Sequence, residues 1–270
     1  GWSMSPSIWT RCAERFEPQR LAGAGWRAVE SQHVTSTRKL VDSDDEQQVL
    51  ESLIDTAKPP WPSGRRFLGL HYLLATPFRH PPLRYGSRFG TRAERGIFYC
   101  AERQATVFAE KAYYVLLFLE GTEADIEPLM RPLTVFQVRI STKKGADLTR
   151  APFDAYVERI SSPLSYQDSQ PLGASMREAG IAAFRFTSAR DPERGPNLGL
   201  FEPVFSTKKP INAEQWICTA TRARVELTPG PAVMRNRTGF SREGFEVEGV
   251  LPTPGVDPGR VTGYQAPPPG

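Results

Sequence analysis

The chain has 270 residues, of which 39% are hydrophobic and 10% are aromatic. This composition supports a sizeable buried core and excludes a largely disordered protein. The 34 basic and 30 acidic residues leave a formal net charge of +4, an excess too small to indicate direct nucleic acid binding. No apolar run approaches the roughly 18 residues of a membrane-spanning helix, so the sequence predicts no membrane contact.

Cysteine and histidine usage argues against disulfide and metal sites. Cys12, Cys100 and Cys218 are odd in number, far apart and never spaced as CxxC, so neither a disulfide framework nor a cysteine zinc site is indicated. The three histidines form no HExxH or other close ligand pair. We therefore expect a cytoplasmic protein without a bound metal.

The first 70 residues are predicted to form a helical extension packed on the core. The clearest helix begins at Ser43, whose side chain caps the helix and pairs with Glu46 in a capping box. Apolar residues then recur at helical spacing and predict one buried stripe. These residues are Val49, Leu50, Leu53 and Ile54.

The stretch from Arg79 to Glu110 carries the densest run of chemically useful side chains. Turn-forming residues are followed by a short strand at residues 97–99 and by a helix over residues 104–120. Guanidinium groups, the ring of Tyr99 and the carboxylate of Glu110 are predicted to converge on one cleft. Such a cleft suits an anionic ligand whose reaction develops positive charge. The arginines are Arg79, Arg84, Arg88, Arg92 and Arg95.

Further strands and one short helix are predicted along the rest of the chain. Ser188 follows one of these strands at a polar strand end, where its hydroxyl can face a cleft. A polar turn is predicted over residues 143–145. Strands are predicted over residues 71–74, 134–140, 181–186, 198–201, 216–221 and 224–227, and a helix over residues 174–178.

Residues 229–270 differ in composition from the rest. Eight prolines and eight glycines occur among these 42 residues, with few aliphatic side chains. Such a segment has too little apolar surface for a core of its own. We therefore expect a flexible or surface-draped tail.

Three short blocks resemble the RES-domain family, which is named after an arginine, a glutamate and a serine. The first block is Gly86-Ser87-Arg88-Phe89-Gly90. The second joins Ile97-Phe98-Tyr99-Cys100-Ala101 to Thr106-Val107-Phe108-Ala109-Glu110. The third joins Ser188-Ala189-Arg190 to Asn197-Leu198-Gly199-Leu200-Phe201. Their order and spacing extend the resemblance over roughly residues 70–228.

The resemblance implies an α+β fold related to ADP-ribosyltransferases. It implies a mixed β-sheet core with helices over residues 71–228 as the catalytic domain, preceded by the helical segment of residues 1–70. The implied activity is that of a toxin that degrades NAD+, as an NAD+ phosphorylase or an NAD+ glycohydrolase. NAD+ is then the substrate, inorganic phosphate or water is the acceptor, and no bound cofactor is expected. The implied partner is an Xre-like antitoxin with a helix-turn-helix domain, and the oligomeric state stays open.

The family motif is carried over residue by residue. Its arginine falls on Arg88, its tyrosine on Tyr99, its glutamate on Glu110 and its serine on Ser188, and Arg79 matches an arginine that often opens the first strand. Catalytic roles are expected for the arginine, the glutamate and the serine. The carboxylate would stabilise an oxocarbenium-like transition state. The two arginines would bind phosphates, the tyrosine would stack on a flat ring, and the serine would hydrogen-bond the substrate.

Other interpretations of the same residues remain open at this point. Arg88 and Glu110 can form a structural ion pair, with Tyr99 as a core residue. The protein can also be an ADP-ribosyltransferase that modifies a macromolecule. A third alternative is a non-catalytic module that binds a nucleotide or nucleic acid through its arginines.

Overall fold

The computed structural model describes residues 6–31, 59–79, 86–230 and 237–255. The helix predicted to begin at Ser43 lies outside these ranges. The described residues form an α+β fold with five α-helices and one eight-stranded mixed sheet, which confirms the predicted fold class. The helices are α1 (Ile8–Cys12), α2 (Tyr72–Arg79), α3 (Gln104–Glu120), α4 (Val157–Ile160) and α5 (Ser169–Glu178).

The strands pair in the order β1-β2-β5-β4-β3-β6-β7-β8. The β3–β4 pair is parallel and all the other pairs are antiparallel. β1 pairs with both β2 and β3. The strands β1, β2, β5, β4 and β3 therefore form a closed ring in which each strand pairs with two neighbours. The strands are β1 (Gln19–Glu30), β2 (Phe98–Ala101), β3 (Leu129–Asp147), β4 (Ala183–Thr187), β5 (Pro196–Leu200), β6 (Ile211–Ala220), β7 (Arg224–Pro229) and β8 (Thr238–Ser241).

The N-terminal part contains a long strand where a helical segment was expected, so the prediction for residues 1–70 is wrong over β1. This strand runs antiparallel to β3 from Gln19 to Glu30. The ladder to β3 satisfies the backbone of β1 and overrides local helix propensity. Glycine at position 25 allows β1 to pack closely here, because a Cβ at this position would collide with the thiol of Cys100. The strand is therefore part of the central sheet and not an extension.

Two further elements differ from the sequence predictions. The run from His71 to Leu74 begins α2 instead of a strand, and Nδ1 of His71 accepts a hydrogen bond from the backbone N–H of Leu73 at the start of the helix. The polar residues 143–145 do not turn, because β3 continues to Asp147 along β1. The helix predicted over residues 104–120 is confirmed at both ends.

The C-terminal prediction is wrong for residues 237–255, which pack on the domain. β8 pairs with β7, and Phe245 and Leu251 are buried in the cluster formed by α3 and the sheet. The composition argument failed because a few apolar side chains are enough when they join an existing core.

The two faces of β2 separate two environments. Phe98 and Cys100 point into a core cluster that includes Phe78 of α2. Side chains alternate along a strand, so Tyr99 and Ala101 point to the opposite face, which α3 and α5 cover. None of the helices in the described ranges combines the length and apolar character needed to cross a membrane.

Candidate functional site

Glu110 on α3 is held by two side chains from the sheet. Its Oε1 accepts hydrogen bonds from Oγ of Ser188, over 2.6 Å, and from Nδ2 of Asn197, over 2.8 Å. Ser188 follows β4 and Asn197 lies on the adjacent β5. Within the described part of the chain, Oε2 accepts no hydrogen bond. One carboxylate oxygen is thus fixed and the other remains available to a ligand.

The turn after β4 presents Ser188 to the carboxylate. The Ser188 hydroxyl is fully buried and accepts from the backbone N–H groups of Arg190 and Asp191, over 3.1 and 3.0 Å. The Asp191 carboxylate in turn accepts from the hydroxyl of Thr106 on α3, over 2.6 Å, and from the backbone N–H of Gly195. These bonds lock the turn to the same helix that carries the glutamate.

Arg88 lies in the turn between residues 86 and 90. Its Nη1 donates to the carbonyl oxygens of Ile160 and Ser162, over 3.3 and 2.8 Å, and its guanidinium lies 5.1 Å from the centre of the Tyr166 ring. Arg88 forms no ion pair with Glu110 or with any other acidic residue that the structure describes. Among the described residues, its charge therefore has no acidic partner, and its Nε and Nη2 donate no hydrogen bond.

Tyr99 positions the turn that carries Arg88. Its hydroxyl shares a hydrogen bond with Oγ of Ser87, over 2.9 Å, and accepts from the backbone N–H of Phe89, over 3.3 Å. Burial raises the pKa of the Tyr99 hydroxyl, which therefore stays protonated at neutral pH. The ring lies edge-on to Phe186. Tyr99 is thus a largely buried anchor of the arginine turn.

The same turn depends on a glycine and on α5. Gly86 has φ near +76°, the left-handed region that suits glycine. The side-chain amide of Gln170 on α5 donates to the carbonyl oxygen of Ser87, over 3.0 Å. The turn is therefore fixed by β2 on one side and by α5 on the other.

Arg190 is a second arginine at the site that the sequence did not predict as a site residue. It is only 5% exposed, its guanidinium lies 3.6 Å from the centre of the Tyr113 ring, and its Nη2 donates to the carbonyl oxygen of Pro163, over 3.1 Å. Among the described residues, no carboxylate pairs with it. Arg88 and Arg190 thus hold one loop, residues 160–166, through its carbonyl groups.

The pKa of the Tyr113 hydroxyl responds to the charges of Arg88, Arg190 and Glu110, so these three residues act on the same part of the site. Burial raises the pKa of its hydroxyl; the charges of Arg190 and Arg88 lower this pKa, and that of Glu110 raises it. Two cations and one anion therefore act on the same small region. No cluster of three or more histidine, cysteine, aspartate or glutamate side chains suited to a metal ion occurs in the described ranges.

Arg79 lies apart from this cluster. It is 8% exposed near the end of α2, where its Nε donates to the carbonyl oxygen of Pro59 and its guanidinium lies 4.3 Å from the centre of the Trp61 ring. α2 packs on the face of β2 opposite to Tyr99. Of the other arginines in the predicted group, Arg92 and Arg95 are exposed and Arg84 is outside the described residues.

The structure therefore brings together four of the five predicted site residues. Glu110 and Ser188 are in direct contact, and Tyr99 supports the turn of Arg88. The residues that were not predicted are Asn197, Arg190 and Tyr166. The first two lie in the sequence block that contains Ser188, whereas Tyr166 lies in a loop without a periodic pattern.

Comparisons with known proteins identify the family. A comparison with curated protein sequences gave no match. The sequence model described as the RES domain matches residues 63–221, more than half of the chain. The matched region extends from just before α2 to the end of β6 and contains Arg88, Tyr99, Glu110 and Ser188. The chain therefore belongs to the RES-domain family, which at the family level supports a toxin-like, NAD-related enzyme.

Proposed function

We propose that the protein cleaves the bond between nicotinamide and ribose in NAD+, with inorganic phosphate or water as the acceptor. One observation carries the proposal. The carboxylate of Glu110 is fixed through Oε1, and its Oε2 accepts no hydrogen bond from the described residues. Two arginines without a described acidic partner, Arg88 and Arg190, act on the same tyrosine, Tyr113, as this carboxylate. A fixed anion beside cationic groups suits a phosphorylated substrate whose reaction develops positive charge.

The glutamate is the group that acts on the reacting sugar. When the C1′–N bond breaks, its electron pair moves to the pyridinium nitrogen, and neutral nicotinamide leaves. Positive charge then develops on the ribose as an oxocarbenium-like ion. Oε2 of Glu110, placed beside C1′, would stabilise this charge more in the transition state than in the ground state.

The serine and the asparagine prepare the carboxylate for this role. Ser188 and Asn197 both donate to Oε1, and two bonds to one oxygen restrict rotation of the carboxylate. A preorganised charge needs no rearrangement during the reaction, and this is the main source of electrostatic stabilisation in enzymes. These two residues are positioning residues in this proposal.

The arginines are the groups that bind phosphate. The planar guanidinium of Arg88 matches phosphate oxygens in a bidentate way that a lysine does not. A phosphate oxygen that attacks C1′ gives ADP-ribose 1-phosphate, whereas attack by water with loss of a proton gives ADP-ribose. Both reactions release nicotinamide, so the acceptor determines only the second product.

The activity is tested with purified protein and NAD+, with and without inorganic phosphate. Loss of NAD+ with release of nicotinamide supports the proposal, and the mass of the second product identifies phosphate or water as the acceptor. Transfer of the ADP-ribose group to protein or nucleic acid would instead establish an ADP-ribosyltransferase. Binding of NAD+ without turnover would establish a nucleotide-binding module.

We also propose that the protein is neutralised by an antitoxin of the Xre-like, helix-turn-helix type. An enzyme that destroys NAD+ harms its own host, and the charge of Arg88, which has no acidic partner among the described residues, would attract an acidic segment of the partner. The protein is expressed alone and together with the adjacent reading frame in a bacterial host. Unimpaired growth and unchanged cellular NAD+ with the protein alone would contradict both the toxin activity and the need for the partner.

A further inference from the structure

Asp191 is a buried carboxylate to which the proposed reaction assigns no role. It lies in the turn between β4 and β5 and is 6% exposed. Its Oδ1 accepts from the backbone N–H of Glu193, over 3.0 Å. Its Oδ2 accepts from the hydroxyl of Thr106, over 2.6 Å, and from the backbone N–H of Gly195, over 3.1 Å, and lies 3.5 Å from Nη2 of Arg103. Burial of a charge is costly unless the charge is well paired, and this carboxylate meets that condition through four different residues.

The bonds of Asp191 reach both donors to Glu110. Its backbone N–H donates to Oγ of Ser188, over 3.0 Å. Its carboxylate holds the backbone N–H of Gly195, and the carbonyl oxygen of Gly195 accepts from the backbone N–H of Ser188, over 2.8 Å. Two residues after this glycine, the chain reaches Asn197 on β5. One residue of the turn thus fixes the place of the serine and the start of the strand that carries the asparagine.

Thr106 links this turn to the helix of the glutamate. It is fully buried on α3, four residues before Glu110, so the two side chains lie on one side of the helix in neighbouring turns. Its hydrogen bond to Asp191 therefore joins the turn that carries the donors to the helix that carries the acceptor. The distance from the donors to the carboxylate of Glu110 depends on this link.

Gly195 permits the close approach that the link requires. A Cβ at this position would collide with the hydroxyl of Thr106 and with the carboxylate of Asp191. The backbone of the turn therefore packs directly against the threonine–aspartate pair. Such packing leaves little room for the turn to move relative to α3.

We propose that Asp191 and Thr106 are positioning residues, which hold Ser188 and Asn197 against α3 and so set the place of the Glu110 carboxylate. This inference rests on the proposed cleavage of NAD+. Neither of the two residues contacts the reacting atoms in this proposal. Misplacement of a catalytic group by about 1 Å can lower a reaction rate about 100-fold. Loosening the link should therefore lower turnover.

Steady-state kinetics of the full-length protein tests the link through paired variants. Thr106→Val removes the hydroxyl donor at nearly the same side-chain size and should lower kcat about 10- to 100-fold. KM for NAD+ should stay within about twofold, because the arginine that binds phosphate, Arg88, is held by other residues. Thr106→Ser keeps the donor and should retain kcat within about threefold of the parent value. Gly195→Ala forces the pair apart and should reproduce the loss of kcat.

Thr149→Val is the matched control. The hydroxyl of Thr149 donates to the carboxylate of Asp147, also over 2.6 Å, and Asp147 is 8% exposed. Neither residue bonds to Glu110 or to its two donors within the described part of the chain. The control should lower Tm without changing kcat. A purely structural role of Thr106 would give Thr106→Val this same result, a lower Tm with the parent kcat.

A spectroscopic measurement separates this inference from the proposed function. Proton–nitrogen correlation spectra report the side-chain amide of Asn197, which donates to Glu110 over 2.8 Å, and Asn197→Ala assigns its signal. This signal should move in Thr106→Val and Gly195→Ala and stay in place in Thr149→Val. Absence of NAD+ cleavage by the parent protein contradicts the proposed function, whereas a moved signal still supports the link. An unmoved signal in Thr106→Val, or a parent kcat in this variant, overturns the inference and leaves the proposed cleavage intact.

Discussion

The hydroxyl of Ser188 donates a 2.6 Å hydrogen bond to Oε1 of Glu110. It also accepts from the backbone N–H groups of Arg190 and Asp191. The single donor and both lone pairs of the hydroxyl are therefore in use. In the proposed reaction, this geometry suits the serine to orienting the carboxylate rather than to a direct bond with the substrate.

Replacing this serine should lower turnover more than substrate binding. We expect Ser188→Ala to reduce kcat about 10- to 100-fold, because a hydrogen bond to a charged group contributes on the order of 1.5–3 kcal/mol, with little change in KM. Ser161→Ala is the control: Ser161 is equally buried, and its hydroxyl donates to the carbonyl oxygen of Thr187 without touching Glu110. A larger change in KM than in kcat for Ser188→Ala would show that the serine binds substrate directly.

Glu110→Gln should abolish most turnover and keep the fold. The glutamine carbonyl can accept from both Ser188 and Asn197 as Oε1 does, so the local geometry is preserved while the charge is lost. Losing one electrostatic contribution of this type lowers kcat by about 10²- to 10³-fold. Steady-state kinetics measures the effect, and Glu120→Gln, at the exposed end of the same helix, is the control. Parent-like turnover in folded Glu110→Gln would eliminate the glutamate as the catalytic group.

Arg88→Lys should not behave as a conservative change. Lysine keeps the charge but loses the planar fork that donates to two carbonyl groups and faces Tyr166. We expect KM for NAD+ to rise about 10-fold or more, as measured by titration and steady-state kinetics. Arg92→Lys, in the same loop but exposed, should have no effect. Identical affinities for the parent and Arg88→Lys would place this arginine outside the substrate site.

Periodic and local patterns made part of this structure predictable from the sequence. The helix over residues 104–120 is predominantly apolar, with buried residues on most of its sides, and the structure confirms its limits. Glu110 and Ser188 were predicted because short motifs resemble those of a known family. The strand β1 was missed because its identity depends on pairing with β3, more than a hundred residues away.

The site residues that the sequence did not predict were missed for a similar reason. Arg190 and Asn197 reach the site only because β4 and β5 are adjacent and the turn after β4 points to α3. Tyr166 comes from an irregular loop that no periodicity describes. Arg79 was grouped with Arg88 because both lie in one stretch and resemble the family pattern, but α2, which carries Arg79, packs on the face of β2 opposite to Tyr99. Contacts between distant segments cannot be read from local sequence alone.

The three cysteines should be unreactive in the native protein. All three are free and buried, and burial raises the pKa of Cys100 to about 12 and that of Cys218 to about 11. At pH 8 the thiols are therefore protonated, and the reactive thiolate is scarce. A chromogenic disulfide reagent at pH 8 should label none of them rapidly, and all three after denaturation. Rapid labelling of native protein would mean that at least one thiol is accessible or ionised.

The last prediction concerns the C-terminal residues, which support both the core and the site. Leu251 is 3% exposed and Phe245 is 6% exposed in the cluster around α3. The hydroxyl of Tyr113 donates to the carbonyl oxygen of Pro252 over 2.5 Å, and the ring of Tyr113 supports the guanidinium of Arg190. Ending the chain after Gly230 removes the buried side chains of Phe245 and Leu251 and the hydrogen bond from Tyr113 to Pro252, which leaves the Tyr113 ring without that support.

We therefore expect a chain that ends after Gly230 to be strongly destabilised compared with both the full-length protein and a chain that ends after Gly255. Truncation of one buried Leu or Phe side chain to alanine typically costs about 2–5 kcal/mol, and the longer deletion removes two such residues together with β8. Thermal unfolding compares the three proteins, and Tyr113→Phe tests separately the hydrogen bond to Pro252. An unchanged Tm after deletion from residue 231 onwards would show that the domain is complete without this segment.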